Sequence, residues 1–220
     1  MEKFIEFLDS KAVPNGPPIG DYQLFAGHMK AKLWHYKGKL NDGPGGEPAI
    51  TFLEIRFRMR DGKLHCSDGG PAKFESRPAG RNMYEYWDNG QRHRGGGLPA
   101  IHGWDRSELQ YCDPTYVEQY YVKGVLTRPP EEGPANISDQ TKTYVVDGVK
   151  HNPFGPAVVT MGCKSWWIKG KQLTEQEFTV WQNAMKNMGL IVLSNNRSRR
   201  CKPVLPPELW NFIQEEFLTS

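Results

Sequence analysis

Three histidines, His65, His93 and His151, each stand three residues after a glycine, and this shared offset would bring them into one column if the segments around them stack. Neutral imidazoles in a column can hold a metal ion. No acidic or cysteine partner recurs beside them, however, and the same slot elsewhere holds Asn41, Thr127 and Leu173. A polar side chain that hydrogen-bonds a neighbouring backbone explains all of these but the last, so no metal site is expected. Cys66, Cys112, Cys163 and Cys201 are dispersed with no CxxC pair, which reads as reduced, structural thiols. The sequence carries no G-x-S-x-G elbow, phosphate-binding Walker loop or H-E-x-x-H, and Gly95-Gly96-Gly97 is not set between a strand and a helix. The expectation is a non-catalytic protein without a cofactor.

Binding chemistry is better represented. Arg197, Arg199, Arg200 and Lys202 crowd the segment SNNRSRRCK (194–202), and Arg92 and Arg94 flank His93. Such cations could contact phosphates of nucleic acid or of an anionic lipid. Against that alternative, the net charge is only +3, and Glu131-Glu132 and Glu215-Glu216 interrupt any continuous basic stripe. The doubled aromatics Tyr86-Trp87, Tyr120-Tyr121 and Trp166-Trp167 place one ring on each face of a strand. Most such rings pack between neighbours, but a row on an uncovered face would supply the anchors enriched at protein interfaces. The candidate partner-binding residues are therefore Tyr86, Trp87, Arg92, His93, Arg94, Tyr121 and Trp167, for a protein partner that could itself be a nucleoprotein complex.

The elements that must position these residues follow from an internal repetition. Segments 33–50, 56–73, 84–101, 119–136 and 143–159 share one layout: an aromatic or apolar pair, a polar residue, a glycine, a short polar strand, then glycine and proline-alanine; 165–173 has the first half alone. The anchoring glycines, Gly38, Gly62, Gly90, Gly124, Gly148 and Gly170, each follow Lys, Asp or Asn. A KG, DG or NG dipeptide between strand-formers predicts a two-residue hairpin turn, so six hairpins are expected. Pro-Ala corners such as Gly70-Pro71-Ala72 and Gly155-Pro156-Ala157 suit a strand start, with alanine permitting close approach. One hairpin cannot bury its own face; stacked ones can.

The pattern W-x-x-G-x-x-H-R-x-x-G-P-A, kept best as YWDNGQRHRGGGLPA (86–100), resembles the MORN-like repeats of phage, giant-virus and bacterial proteins. It lacks the further regular glycines of the better-known MORN pattern. The resemblance covers 33–173 and implies an elongated antiparallel sheet of stacked hairpins. It further implies a binding role in which a phage or mobile-element protein inhibits a bacterial defence or nucleic-acid-processing complex.

The fold class expected is thus mainly β, a hairpin array over 33–173 between an N-terminal cap (1–32) and a helical C-terminal cap (174–220). Phe4, Ile5 and Leu8 suggest a short N-terminal helix over 2–12. Thr174 and Glu177 have capping-box spacing, and Phe178, Trp181, Met185 and Met188 form a helical stripe that predicts a helix over 175–188. LIVL (190–193) reads as a strand, and Leu209, Trp210, Ile213 and Phe217 as a final helix. The insertions at 74–83 and 101–118 are expected to protrude as specificity loops. Glycine (23) and proline (17) are abundant enough to disfavour a helical bundle, and 12% aromatics disfavour disorder. With no long apolar run and no leader-like N-terminus, a cytoplasmic protein without a transmembrane segment is the default expectation.

Overall fold

The computed structural model describes residues 20–23, 28–105 and 114–193, with the side chains of 32–105 and 114–186. At each of the six dipeptides both central residues have positive φ, from Lys37 (50°) and Gly38 (75°) to Lys169 (43°) and Gly170 (81°). This is the primed turn whose twist matches that of paired strands. Five of these turns close two-stranded ladders: β3 (His35–Tyr36) with β4 (Lys39–Leu40), β7 (Met59–Arg60) with β8 (Lys63–Leu64), β11 (Trp87–Asp88) with β12 (Gln91–Arg92), β15 (Tyr121–Val122) with β16 (Val125–Leu126), and β19 (Val145–Val146) with β20 (Val149–Lys150).

The remaining thirteen strands form one antiparallel sheet in chain order. They are β1 (Gly20–Gln23), β2 (His28–Leu33), β5 (Ile50–Phe52), β6 (Ile55–Phe57), β9 (Lys73–Glu75), β10 (Met83–Glu85), β13 (Ile101–Asp105), β14 (Thr115–Gln119), β17 (Asn136–Ser138), β18 (Thr141–Thr143), β21 (Val158–Thr160), β22 (Cys163–Ile168) and β23 (Lys171–Leu173). The sixth dipeptide joins β22 to β23, which pairs only with Trp166–Ile168. The residues expected to protrude at 74–83 and 101–118 instead supply two residues of β9, the first of β10, all of β13 and four of the five of β14; 106–113 lie outside the described residues. Both stretches follow a Pro-Ala corner, and that corner starts a sheet strand. What stands out of the ladder between β9 and β10 is the short segment 76–82, with a 3-10 turn at Pro78–Gly80. Gly103 permits this arrangement, because a Cβ there would lie 2.2 Å from the Asn82 carbonyl oxygen.

Alternation gives the sheet two different faces. On one, cross-strand partners run Leu33, Ile50, Phe57, Lys73, Glu85, Ile101, Gln119, Asn136, Thr143, Val158 and Ser165. On the other run Arg56, Phe74, Tyr84, His102 and Glu118. Leu33, Leu40, Ala49, Ile50, Phe57, Met59, Leu64 and Ala72 make the apolar core of the first half, with Phe52, Ile55, Cys66 and Trp87 against it.

A second, smaller cluster joins Ile168 and Leu173 to Phe178, Trp181 and Ala184 of α1 (Glu175–Leu193). The helix begins with a reciprocal capping box: the Thr174 N–H donates to Glu177 Oε2 at 2.7 Å, and the Glu177 N–H donates to Thr174 Oγ1 at 3.2 Å. The first of these bonds holds the Glu177 carboxyl below its ordinary pKa. The expected strand at 190–193 is overturned, since α1 continues through Gly189 to Leu193. Once a helix is nucleated each added residue closes another hydrogen bond, which outweighs the roughly 1 kcal/mol cost of one glycine. The expected helices at 2–12 and 207–218 lie outside the described residues.

Candidate functional site

Adjacent hairpins are tied by two bonds that recur along the chain. The turn glycines Gly62, Gly90, Gly124, Gly148 and Gly170 donate their N–H to the carbonyls of Leu40, Leu64, Arg92, Leu126 and Lys150, at 2.9 to 3.0 Å. The residue before each glycine donates to a side chain of the preceding hairpin: Asp61 N–H to Asn41 Oδ1, Asn89 to His65 Nδ1, Lys123 to His93 Nδ1, Asp147 to Thr127 Oγ1 and Lys169 to His151 Nδ1. The histidine column is thus a set of acceptors for neighbouring backbone, and the candidate residue His93 belongs to it at 3.5 Å. Among the described residues no three His, Cys, Asp or Glu side chains gather as a metal site would require.

The other candidate residues divide between the two faces. Trp87, Arg92 and Tyr121 come together on the face that also carries Glu85. The Arg92 guanidinium lies between two rings, its carbon 5.0 Å from the centre of Trp87 and 5.4 Å from that of Tyr121. Trp87 Nε1–H donates to Glu85 Oε2 at 3.3 Å, and Arg92 Nη2 stands 3.6 Å from the same oxygen. The other Glu85 oxygen is bonded to Lys73, so a buried ion pair anchors the cluster from below. Two hairpins further on, Lys150 Nζ sits 4.5 Å above Trp167, whose Nε1–H donates to Ser165 Oγ at 2.9 Å. Cations held over aromatic faces gain from the ring quadrupole and are pre-ordered for contact. Trp87, Arg92, Tyr121 and Trp167 all remain partly exposed.

Tyr86 and Arg94 fall on the opposite face, where they pack against each other. Tyr86 is buried, covered by Arg94 at 3.7 Å and stacked at 5.8 Å on His102. Arg94 Nη1–H also donates to the Pro99 carbonyl at 3.3 Å, closing the loop before the Pro-Ala corner. Arg128 repeats the arrangement over Tyr120 at 3.9 Å, with its Nη1–H bonded to the Pro134 carbonyl. His102 also stacks on Tyr84 at 4.8 Å. Burial between the rings, aided by the Arg94 charge, lowers its pKa. Nearer the start of the chain the same column holds Arg58, bridging Asp42 at 3.0 Å and Asp68 at 2.5 Å. Asp68 also accepts from Cys66 Sγ, and burial raises the pKa of that thiol.

Some surface residues were not singled out by the sequence. Val122, Val125 and Val149 are 46%, 43% and 45% exposed at the hairpin tips, an apolar edge next to the Tyr121 and Lys150 rows. Lys150 was missed as well, although its offset of two residues after the turn glycine is the one Arg92 has, a signal that was available. Arg197, Arg199, Arg200 and Lys202 lie outside the described residues. No helix among the described residues is long and apolar enough to cross a membrane. Comparison with family models, with curated proteins and with solved structures finds no match.

Proposed function

We propose that the chain is a non-catalytic protein-binding module, a tandem array of MORN-like hairpin repeats that presents one aromatic and cationic face to a partner. The observation that carries this reading is the part-exposed ladder of Trp87, Arg92 and Tyr121, continued by Lys150 and Trp167, bordered by the exposed valines at the hairpin tips. Aromatic and arginine side chains dominate the energy of protein interfaces, and here their rotamers are fixed in advance by stacking, which lowers the entropic cost of binding. Tyr121 and Trp167 are the anchors, and Arg92 orients the partner's acidic or carbonyl groups. The resemblance to phage and mobile-element proteins extends the proposal to inhibition of a bacterial defence or nucleic-acid-processing complex.

Affinity capture from lysate of the native host, with and without nuclease and washed at low and at about 0.5 M salt, where charge contacts between exposed groups are screened, tests the reading. The wild-type chain should retain a protein that a folded Tyr121→Ala, Trp167→Ala double variant releases. Equal retention by both chains, or recovery of nucleic acid alone that leaves at high salt, contradicts it.

A further inference from the structure

The C-terminal end of the sheet stops half-way through a pattern that the rest of the sheet completes. Strands β6, β10, β14 and β18 each lie between two strands that follow a Pro-Ala dipeptide, and both neighbours meet them in one register. Arg56 stands opposite Thr51 and Phe74, Tyr84 opposite Phe74 and His102, and Lys142 opposite Ile137 and Val159. In β22, Lys164 stands opposite Val159 on one side. On its other side no described residue pairs with it, because β23 reaches only Trp166–Ile168.

Main-chain groups of alternate residues point to the same side of a strand. The Tyr144 N–H donates to the Ala157 carbonyl at 2.7 Å, toward the following Pro-Ala strand. The N–H and C=O of Lys142, two residues earlier, face that strand too. Lys164 holds the same place relative to Trp166, so its main-chain pair faces the side on which no described residue pairs with it, a groove of about 440 Å³ lined by Lys164, Ser165, Trp166, Leu173, Thr174 and Glu177.

We propose that this groove takes up an extended Pro-Ala strand of another protein, added antiparallel to β22 in the register that β21 holds on the opposite side. The proposal concerns a surface separate from the aromatic ladder and does not depend on it. Five pairings inside the molecule define what fits. The residue beside the aromatic column is always alanine, and Ala49, Ala72, Ala100, Ala135 and Ala157 are all 0% exposed, so a larger side chain has no room. Two positions on come Thr51, Phe74, His102, Ile137 and Val159, large or β-branched residues suited to a strand. A folded second copy is not the donor, since β5, β9, β13, β17 and β21 are each already paired on both sides. Strand addition of this kind draws affinity from main-chain bonds and selectivity from alternate side chains.

A fluorescent hexapeptide of sequence GPAVVT, that of residues 155–160, titrated with the full chain and followed by anisotropy, tests this. Saturable binding is expected. It should weaken at least about tenfold with Lys164→Pro, which removes the outward N–H but no ladder bond of the free protein, and likewise when the peptide carries leucine in place of alanine. Tyr121→Ala should leave it unchanged, which separates this site from the aromatic surface. No binding to the full chain, indifference to both changes, or peptide that acts by dissociating a dimer of the chain would each overturn the proposal.

Discussion

The two halves of the sheet put different chemistry into equivalent places. Two residues after the turn glycine, the first half places Leu40 and Leu64, buried at 0% and 9% exposure in the apolar core; the second half places Arg92 and Lys150, each over a ring of the next hairpin, with the half-buried Leu126 between them. Along one face the partners become more polar, from Leu33, Ile50 and Phe57 through the Lys73–Glu85 pair to Gln119, Asn136 and Thr143, with Ile101 and Val158 as the apolar members of the second half. Gln119 and Asn136 satisfy each other with a 3.1 Å side-chain bond. One backbone plan thus serves two ends: apolar burial stabilises the first half, and the second uses several of the same positions for polar groups that water can reach.

Substitutions at equivalent positions should sharpen the contrast. Phe57→Ala should cost about 3–5 kcal/mol in chemical denaturation, whereas Thr143→Ala, in the same cross-strand row, should cost about 1 kcal/mol or less. A similar loss at both would dissolve the distinction. Leu64→Ala should cost about 2–5 kcal/mol, while Arg92→Leu should stay within about 1 kcal/mol, because the cation and ring contact it loses is of that size and leucine restores apolar area. Thr127→Ala removes the acceptor for the Asp147 N–H and should cost about 0.5–1.5 kcal/mol, with faster exchange of that amide.

The smallest effect is one of pH. His102 has a folded pKa below its ordinary 6.5, so between the two values the unfolded chain binds more protons than the folded one. Stability from this group is full above about 6.5 and declines as pH falls toward the folded value. Urea midpoints of the wild type should therefore drop from pH 7.5 to 5.5 more than those of His102→Gln; equal drops would remove His102 as a cause.

The turns were legible in the sequence because a two-residue primed turn needs positive φ at both positions, and few residue types beside glycine accept it. The cap of α1 was legible for a similar reason, since Thr174 and Glu177 satisfy each other locally. The second set of turns was not. Leu53-Glu54, Asp139-Gln140 and Met161-Gly162 join the long strands, and two of these dipeptides lack glycine altogether; Leu53 is held at φ 50° by the pairing on either side. The division of Tyr86 and Arg94 from Trp87 and Arg92 was half legible. Alternation separates the paired aromatics, and Arg92 meets Trp87 across one hairpin, but the contact of Arg92 with Tyr121 depends on the neighbouring hairpin and could not be read from the spacing.

Amide hydrogen exchange read strand by strand tests the central contrast most directly, since local stability follows buried apolar contact. The amides of β5, β6 and β9 should exchange only through global unfolding, and those of β17, β18 and β21 through smaller openings that remain when the first half is intact. Uniform protection across the sheet, or earlier opening of β5 to β9, would contradict the account.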